Sequence, residues 1–162
     1  MSLRSLPEGF GALPLKELEL RGCDKLTLPE SFIQLQLSDD NFMKCCKQVA
    51  RLPESIVEHH LFKDATSLDF SSAKLVALPE RFGEMKLTEL NMGHCNNLNH
   101  EEALEIIIKI DTLTSLNLTS WKMSLLPEGF EKLVNLETLN LSFCKSLLSL
   151  PAGFVQHTIT LT

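Results

Sequence analysis

The pair Leu-Pro recurs at Leu6, Leu28, Leu52, Leu78, Leu126 and Leu150, at spacings of 22, 24, 26, 48 and 24 residues. The 48-residue gap holds two units, so one copy lacks its marker. A period in the twenties constrains the fold strongly: one unit cannot bury an apolar face alone and must stack on its neighbours. The fullest copy reads Leu136-x-x-Leu139-x-Leu141-x-x-Cys144-x-x-Leu147-x-x-Leu150. The alternation Leu139, Leu141 predicts a short strand with one apolar face, with Thr138 and Asn140 on the other. Cys144 is small and apolar, sits where the chain turns inward, and carries a weak S–H donor. Leu126-Pro127-Glu128-Gly129-Phe130 then returns along the opposite side. Pro fixes φ and lacks an N–H, which suits the start of a turn or short helix. The Phe four residues after each Leu predicts an apolar ladder on that outer side.

Unit one carries Leu15-x-x-Leu18-x-Leu20-x-x-Cys23-x-x-Leu26, a full strand motif. Unit two is irregular. Aligning Leu37 with Leu15 puts Phe42 and Cys45 at core positions but also Asp40, so Asp39 to Ala50 reads as a distorted strand or a bulge. Units three and four have strands around Leu68-x-Phe70 and Leu90-x-Met92, with Ala73 and Cys95 in the cysteine slot. Asn99 to Lys109 reads as a helix: Asn99 is the N-cap, Glu101 and Glu102 suit the first turn, and Ala103, Leu104, Ile107 and Ile108 share a face. Unit five follows with Leu113-x-x-Leu116-x-Leu118. Trp121 occupies its cysteine slot and is oversized there; it either swings out, partly exposed, or packs over the helix. After Leu150-Pro151-Ala152-Gly153-Phe154, Thr158 to Thr162 begins a seventh strand. Residues 1–162 therefore read as one domain of six to seven repeats. Terminal repeats need polar caps, and neither end supplies one, which predicts makeshift ends or a piece of a longer chain.

No run of 18 apolar residues exists, so no membrane span is expected, and no apolar h-region marks a signal peptide. The net charge of −6 argues against nucleic acid or an anionic membrane as partner. Cys23, Cys95, Cys144 and Cys45 share one repeat position, which explains them as packing residues rather than disulfide partners. Cys45-Cys46 and His59-His60 lack zinc-ligand spacing; a buried Cys45 with solvated histidines fits better, and no metal is expected. No histidine pairs by motif with a nucleophile, and no Gly-rich phosphate loop occurs, so neither a catalytic site nor a cofactor is expected.

The repeated LxxLxLxxC and LPEGF motifs resemble those of leucine-rich repeat proteins over nearly the whole chain. Cys for the commoner Asn, followed by LxxLP as in LNLSFCKSLLSLP, is similar to the repeats of plant intracellular immune receptors and of protist and algal proteins. The helical unit is more similar to the ribonuclease-inhibitor-like subclass. The resemblance implies an α/β solenoid with parallel strands on a concave face and short helices, 3-10 turns or extended segments on the convex one. It also implies an intracellular setting and a protein-binding role.

In that register, Glu17, Glu19, Asp39, Asn41, Asp69, Glu89, Asn91, Asn117 and Asn140 face the concave side. Its N-terminal half is acidic and its C-terminal half amide-rich. Two readings stay open: a grip on a protein partner, one with a basic segment, or polar ladders that only bond one another. Phe143 is a candidate anchor or a residue tucked over its turn. The expected role is a protein-interaction module of a larger signalling, immune or effector protein, acting as a monomer. The alternatives are a scaffold without a partner, or the substrate-recognition part of a ubiquitin ligase or bacterial effector.

Overall fold

The computed structural model describes residues 3–151 and the strand 160–161. Five short strands form one parallel sheet in chain order: β1 (Ser67–Asp69), β2 (Glu89–Asn91), β3 (Ser115–Asn117), β4 (Thr138–Asn140) and β5 (Thr160–Leu161). Leu68, Leu90, Leu116 and Leu139 lie in register and point inward, each at most 7% exposed. Burying such a side chain contributes roughly 1.5–3 kcal/mol. Stacking repeats the gain in every unit, which is why the fold needs neighbours rather than long elements.

On the convex side the Leu-Pro pairs at Leu6, Leu28, Leu52, Leu78 and Leu126 each lead into a 3-10 turn: Glu8–Ala12, Glu30–Gln34, Glu54–Glu58, Glu80–Glu84 and Phe130–Lys132. The proline carbonyl accepts from the N–H three residues on, as Phe32 to Pro29 at 3.0 Å, Ile56 to Pro53 at 3.1 Å and Phe82 to Pro79 at 3.1 Å. Phe32, Ile56, Phe82 and Phe130 form the expected outer ladder, all buried, while Phe10 is half-buried. Phe154 lies outside the described residues. The motif glutamate joins one turn to the next. Glu30 accepts from the backbone N–H groups of Glu54 (3.1 Å) and Ser55 (2.9 Å). Glu54 does the same for Glu80 and Arg81, both at 3.0 Å. Each carboxylate thus satisfies donors at the next turn's N-terminus that the turn itself leaves unpaired. Burial raises the Glu30 carboxyl, but the hydrogen bonds from Ser55 and Glu54 outweigh it and hold the group below its ordinary range. Gly11 packs under the second turn so closely that a Cβ there would sit 1.7 Å from the Ser31 carbonyl oxygen.

Three helices interrupt the pattern: α1 (Asp39–Gln48), α2 (His60–Lys63) and α3 (His100–Ile107). α3 is the helix expected at Asn99 to Lys109. Asn99 caps it by accepting from Glu102 N–H, and Ala103, Leu104 and Ile107 are buried. Ile106 is also buried, against the Glu80–Glu84 turn, where Gly83 leaves room for it. The helix stands where the missing Leu-Pro turn would be. Glu80, left without a turn to cap, pairs with Lys109 instead.

The reading of unit two needs correction. Its strand is replaced by α1, a ten-residue helix capped by Ser38, whose hydroxyl accepts from Asn41 N–H at 3.3 Å. Phe42 and Cys45 are buried as aligned, while Asp40 is exposed, because helical spacing turns it to solvent. Unit one consequently lacks a strand at Leu18 to Leu20, since its neighbour offers no extended backbone to pair with. Asn41 fills the role: its Oδ1 accepts from Leu18 N–H at 2.9 Å and its Nδ2 donates to Leu18 O at 3.0 Å. One carboxamide supplies the donor and acceptor that a paired strand would have offered. At its other end α1 meets unit three, with Lys74 N–H donating to Lys47 O at 2.8 Å. α1 therefore lies between unit one and β1, in the row of the sheet.

Candidate partner-binding surface

The sheet's outward side chains come in two columns, Ser67, Glu89, Ser115, Thr138 and Asp69, Asn91, Asn117, Asn140. The second column bonds to its own chain rather than across repeats. Asp69 Oδ1 accepts from Ser71 N–H at 2.7 Å, Asn91 from Gly93 at 3.0 Å, Asn117 from Thr119 at 2.9 Å, and Asn140 from Ser142 at 2.9 Å. These are Asx turns that end each strand. They account for the type of residue at these positions without a partner.

Beyond each Asx turn the chain enters the left-handed region at one fixed position, Ser72, His94, Ser120 and Phe143, and Gly22 does so at the matching place in unit one, all with φ between 61° and 79°. Only Gly22 accepts this without strain. A side chain there costs roughly 1–2 kcal/mol. Burial of the leucines and of the following slot outweighs that in every unit. The next residue is the cysteine slot. Cys95 Sγ donates to Phe70 O at 3.1 Å and Cys144 Sγ to Leu118 O at 3.2 Å, each in the preceding repeat. Cys45, on α1, reaches Leu18 O at 3.3 Å. Burial pushes the Cys45 and Cys95 thiols up to about 11 and raises Cys46 and Cys144 as well. No group of three metal-ligating side chains gathers among the described residues.

Trp121 keeps this pattern with a larger donor. Its indole Nε1–H donates to Met92 O at 2.8 Å, the position the thiols use elsewhere, and the ring is 1% exposed. Of the two readings for Trp121, the structure has the packed one. His100, the first residue of α3, stacks on the indole at 4.5 Å and 15°. Its Nε2–H donates to Cys95 O at 3.0 Å and its Nδ1 accepts from Lys122 N–H at 2.9 Å. A carbonyl can only accept and an amide N–H only donate, so these partners select the neutral Nε2–H tautomer. The helix that replaced a Leu-Pro turn thus also makes the space for the oversized slot residue.

The acidic residues are largely answered from within. Lys44 of α1 pairs with Glu19 and holds its carboxyl below the usual range through a hydrogen bond and charge. Lys47 lies 3.5 Å from Asp69. Burial raises the Asp69 carboxyl, but hydrogen bonds from Ser71 and the Lys47 charge win and lower it. Asp39 pairs with His60 at 3.0 Å, so neither Asp39 nor Asn41 stands in the concave strand row where the sequence alignment had them. Glu17 is exposed beside the Leu18 segment. Glu89 faces a groove of about 340 Å³ over β1 to β3 and, among the described residues, accepts only from Ser67 Oγ, at 3.3 Å. His59 was expected to be solvated. It is 8% exposed, stacked on Phe42 at 3.8 Å, and its Nδ1 accepts from Leu61 N–H. Burial first, then the neighbouring His60, lowers its pKa to about 4. Phe143 is not tucked over its turn; it is 72% exposed.

Comparison with known proteins agrees with this geometry. The Leucine Rich Repeat family model matches residues 135–156. The chain also superposes over 99% of its length on the solved structure of an LRR protein of Leptospira interrogans, with a TM-score of 0.54 and 21% identity, which speaks for the fold. The chain has the fold of leucine-rich repeat proteins. Among curated sequences the chain is 27% identical, over 92% of its length, to the Disease resistance-like protein DSC1 of Arabidopsis thaliana. It spans 14% of that relative and 52% of the Leptospira protein. Leucine-rich repeats serve in general as protein–protein interaction modules. No helix among the described residues is long and apolar enough to cross a membrane.

Proposed function

We propose that this chain is a protein-recognition module whose concave face, over β1 to β3, receives a segment of a partner protein. The observation that carries the reading is Glu89: a carboxylate at the centre of an open groove, with no cation opposite it among the described residues. A basic side chain of the partner would complete it through a charge-assisted hydrogen bond. Glu17 lies exposed in the same half of the molecule and would add to the field. Glu19 and Asp69 contribute less, because Lys44 and Lys47 already answer them. Asn91, Asn117 and Asn140 serve as strand ends, and their carboxamide nitrogens have no partner among the described residues. The likeness to a disease-resistance-like protein supports an intracellular sensing or signalling setting, with the chain acting as a monomeric recognition part of a larger protein.

A pull-down comparing wild type with Glu89→Lys and Glu19→Lys, each first shown to be folded by circular dichroism, tests this. A partner released by Glu89→Lys and retained by Glu19→Lys is the expected result. Equal retention by all three would remove the concave groove from the reading. A chain that retains nothing in any form would be a spacer.

A further inference from the structure

Just beyond the C-terminal ends of β3 and β4 lies a second groove, of about 560 Å³, on the rim rather than on the concave face. Trp121 forms its floor, and His94, Ser120 and Phe143, all from the left-handed column, form one wall. Lys122 and Lys145, the residues that follow the slot in their repeats, form the other. Two properties set this groove apart. Phe143 is both strained and 72% exposed, whereas the buried aromatic rings of the chain sit in its core. The φ of Phe143 is the repeat's own, shared with Ser72, His94 and Ser120; what is particular to Phe143 is a large apolar ring held out to solvent there. The lysines are also unanswered. Like most lysines of the chain, Lys122 and Lys145 have no carboxylate partner among the described residues; what is particular to them is that both line one groove beside an exposed aromatic ring.

We infer that this rim groove is a docking site for an acidic peptide segment of a protein partner, one carrying a large apolar side chain that packs against Phe143. Charge complementarity selects the segment, and the aromatic wall anchors it. A nucleic acid or an anionic membrane would set a continuous field of anions against a chain of net charge −6. A short segment places its carboxylates only at the two lysines. The site is independent of the concave groove and has the opposite sign, so the chain can hold one partner at two points or two partners at once.

Trp121 is the only tryptophan, so any change in emission on binding arises at the packed indole beneath this groove. The probe is a short synthetic peptide with Asp and Glu on both sides of a central Phe-Leu pair; its control carries Lys in place of the acids. Binding is measured by calorimetry and located by Trp121 emission. The acidic peptide should bind and shift the emission, and the basic control should do neither. Lys122→Glu with Lys145→Glu should weaken binding about tenfold or more, as should Phe143→Ala, on the scale of a residue at the centre of an interface. Glu89→Lys should leave it unchanged, which separates this site from the concave one. The inference is overturned if the acidic peptide does not bind at millimolar concentration, or if the lysine reversal does not weaken it. Tighter binding to single-stranded DNA or anionic vesicles, lost in the same lysine variant, would also overturn it in favour of that ligand.

Discussion

Asn41 shows how much one side chain can carry in a repeat fold. It stands in for a strand, meeting both backbone groups of Leu18. Asn41→Leu keeps the volume and removes both bonds, leaving a donor and an acceptor part-buried and unmet. At roughly 1–3 kcal/mol for each fully buried group, a loss of about 2 kcal/mol is expected in urea unfolding. Phe143 predicts the opposite sign. Phe143→Gly relieves the left-handed strain and exposes no core, so stability should rise by up to about 1 kcal/mol even as the rim groove is lost. His59 sets a pH dependence. Its folded pKa, about 4, lies below the ordinary 6.5, so the unfolded chain takes up the proton first as pH falls. The stability it contributes is complete above about pH 6.5 and drains away down to about 4, at no more than about 1.4 kcal/mol per pH unit. Urea midpoints at pH 7.5 and 5 should therefore differ more for wild type than for His59→Asn. At this scale the sequence was legible where identity repeats. The Asp69, Asn91, Asn117, Asn140 column was visible as a column, but its Asx geometry depends on backbone direction, which the pattern of letters does not contain.

At the scale of the element, the Glu30 and Glu54 carboxylates bind one convex turn to the next. Glu54→Ala should cost about 1 kcal/mol, the usual effect of removing a cap, and Glu54→Gln should recover part of it. Thermal unfolding of the three proteins checks the order. The two longer helices contrast in how they could be read. α3 declared itself by Asn99, two acids and an apolar face. α1 carried the same signals, Ser38 at the cap with Asp39 and Asp40 in the first turn. They were hidden because the strand alignment also put Phe42 and Cys45 at core positions, and both spacings bury the same two residues. The deciding letter was Asp40, which no inward strand position tolerates and an exposed helical one does. His59 had no such letter; its burial comes from stacking on Phe42, a contact across the chain.

Across the whole molecule, the stacking of units on one another was readable from the Leu-Pro spacing, because a solenoid's long-range contacts are repeats of local ones. The partner surface was less readable, since its electrostatics depend on Lys44 and Lys47 arriving from a helix. Burial also varies along the stack. Leu118, Cys95 and Leu75 are 1% exposed or less, while their counterparts Leu141, Cys144 and Leu147 in the sixth unit are half-buried. Hydrogen exchange should accordingly show the strongest protection at β2 and β3 and faster opening at β4, and uniform protection would contradict it. A parallel sheet with an uncovered first strand would be a template for pairing with another chain. α1 stands at that edge, tied to Leu18 on one side and to Lys74 on the other. A helix has no free backbone row to offer an incoming strand, so the molecule is guarded against edge-to-edge aggregation from the side of β1.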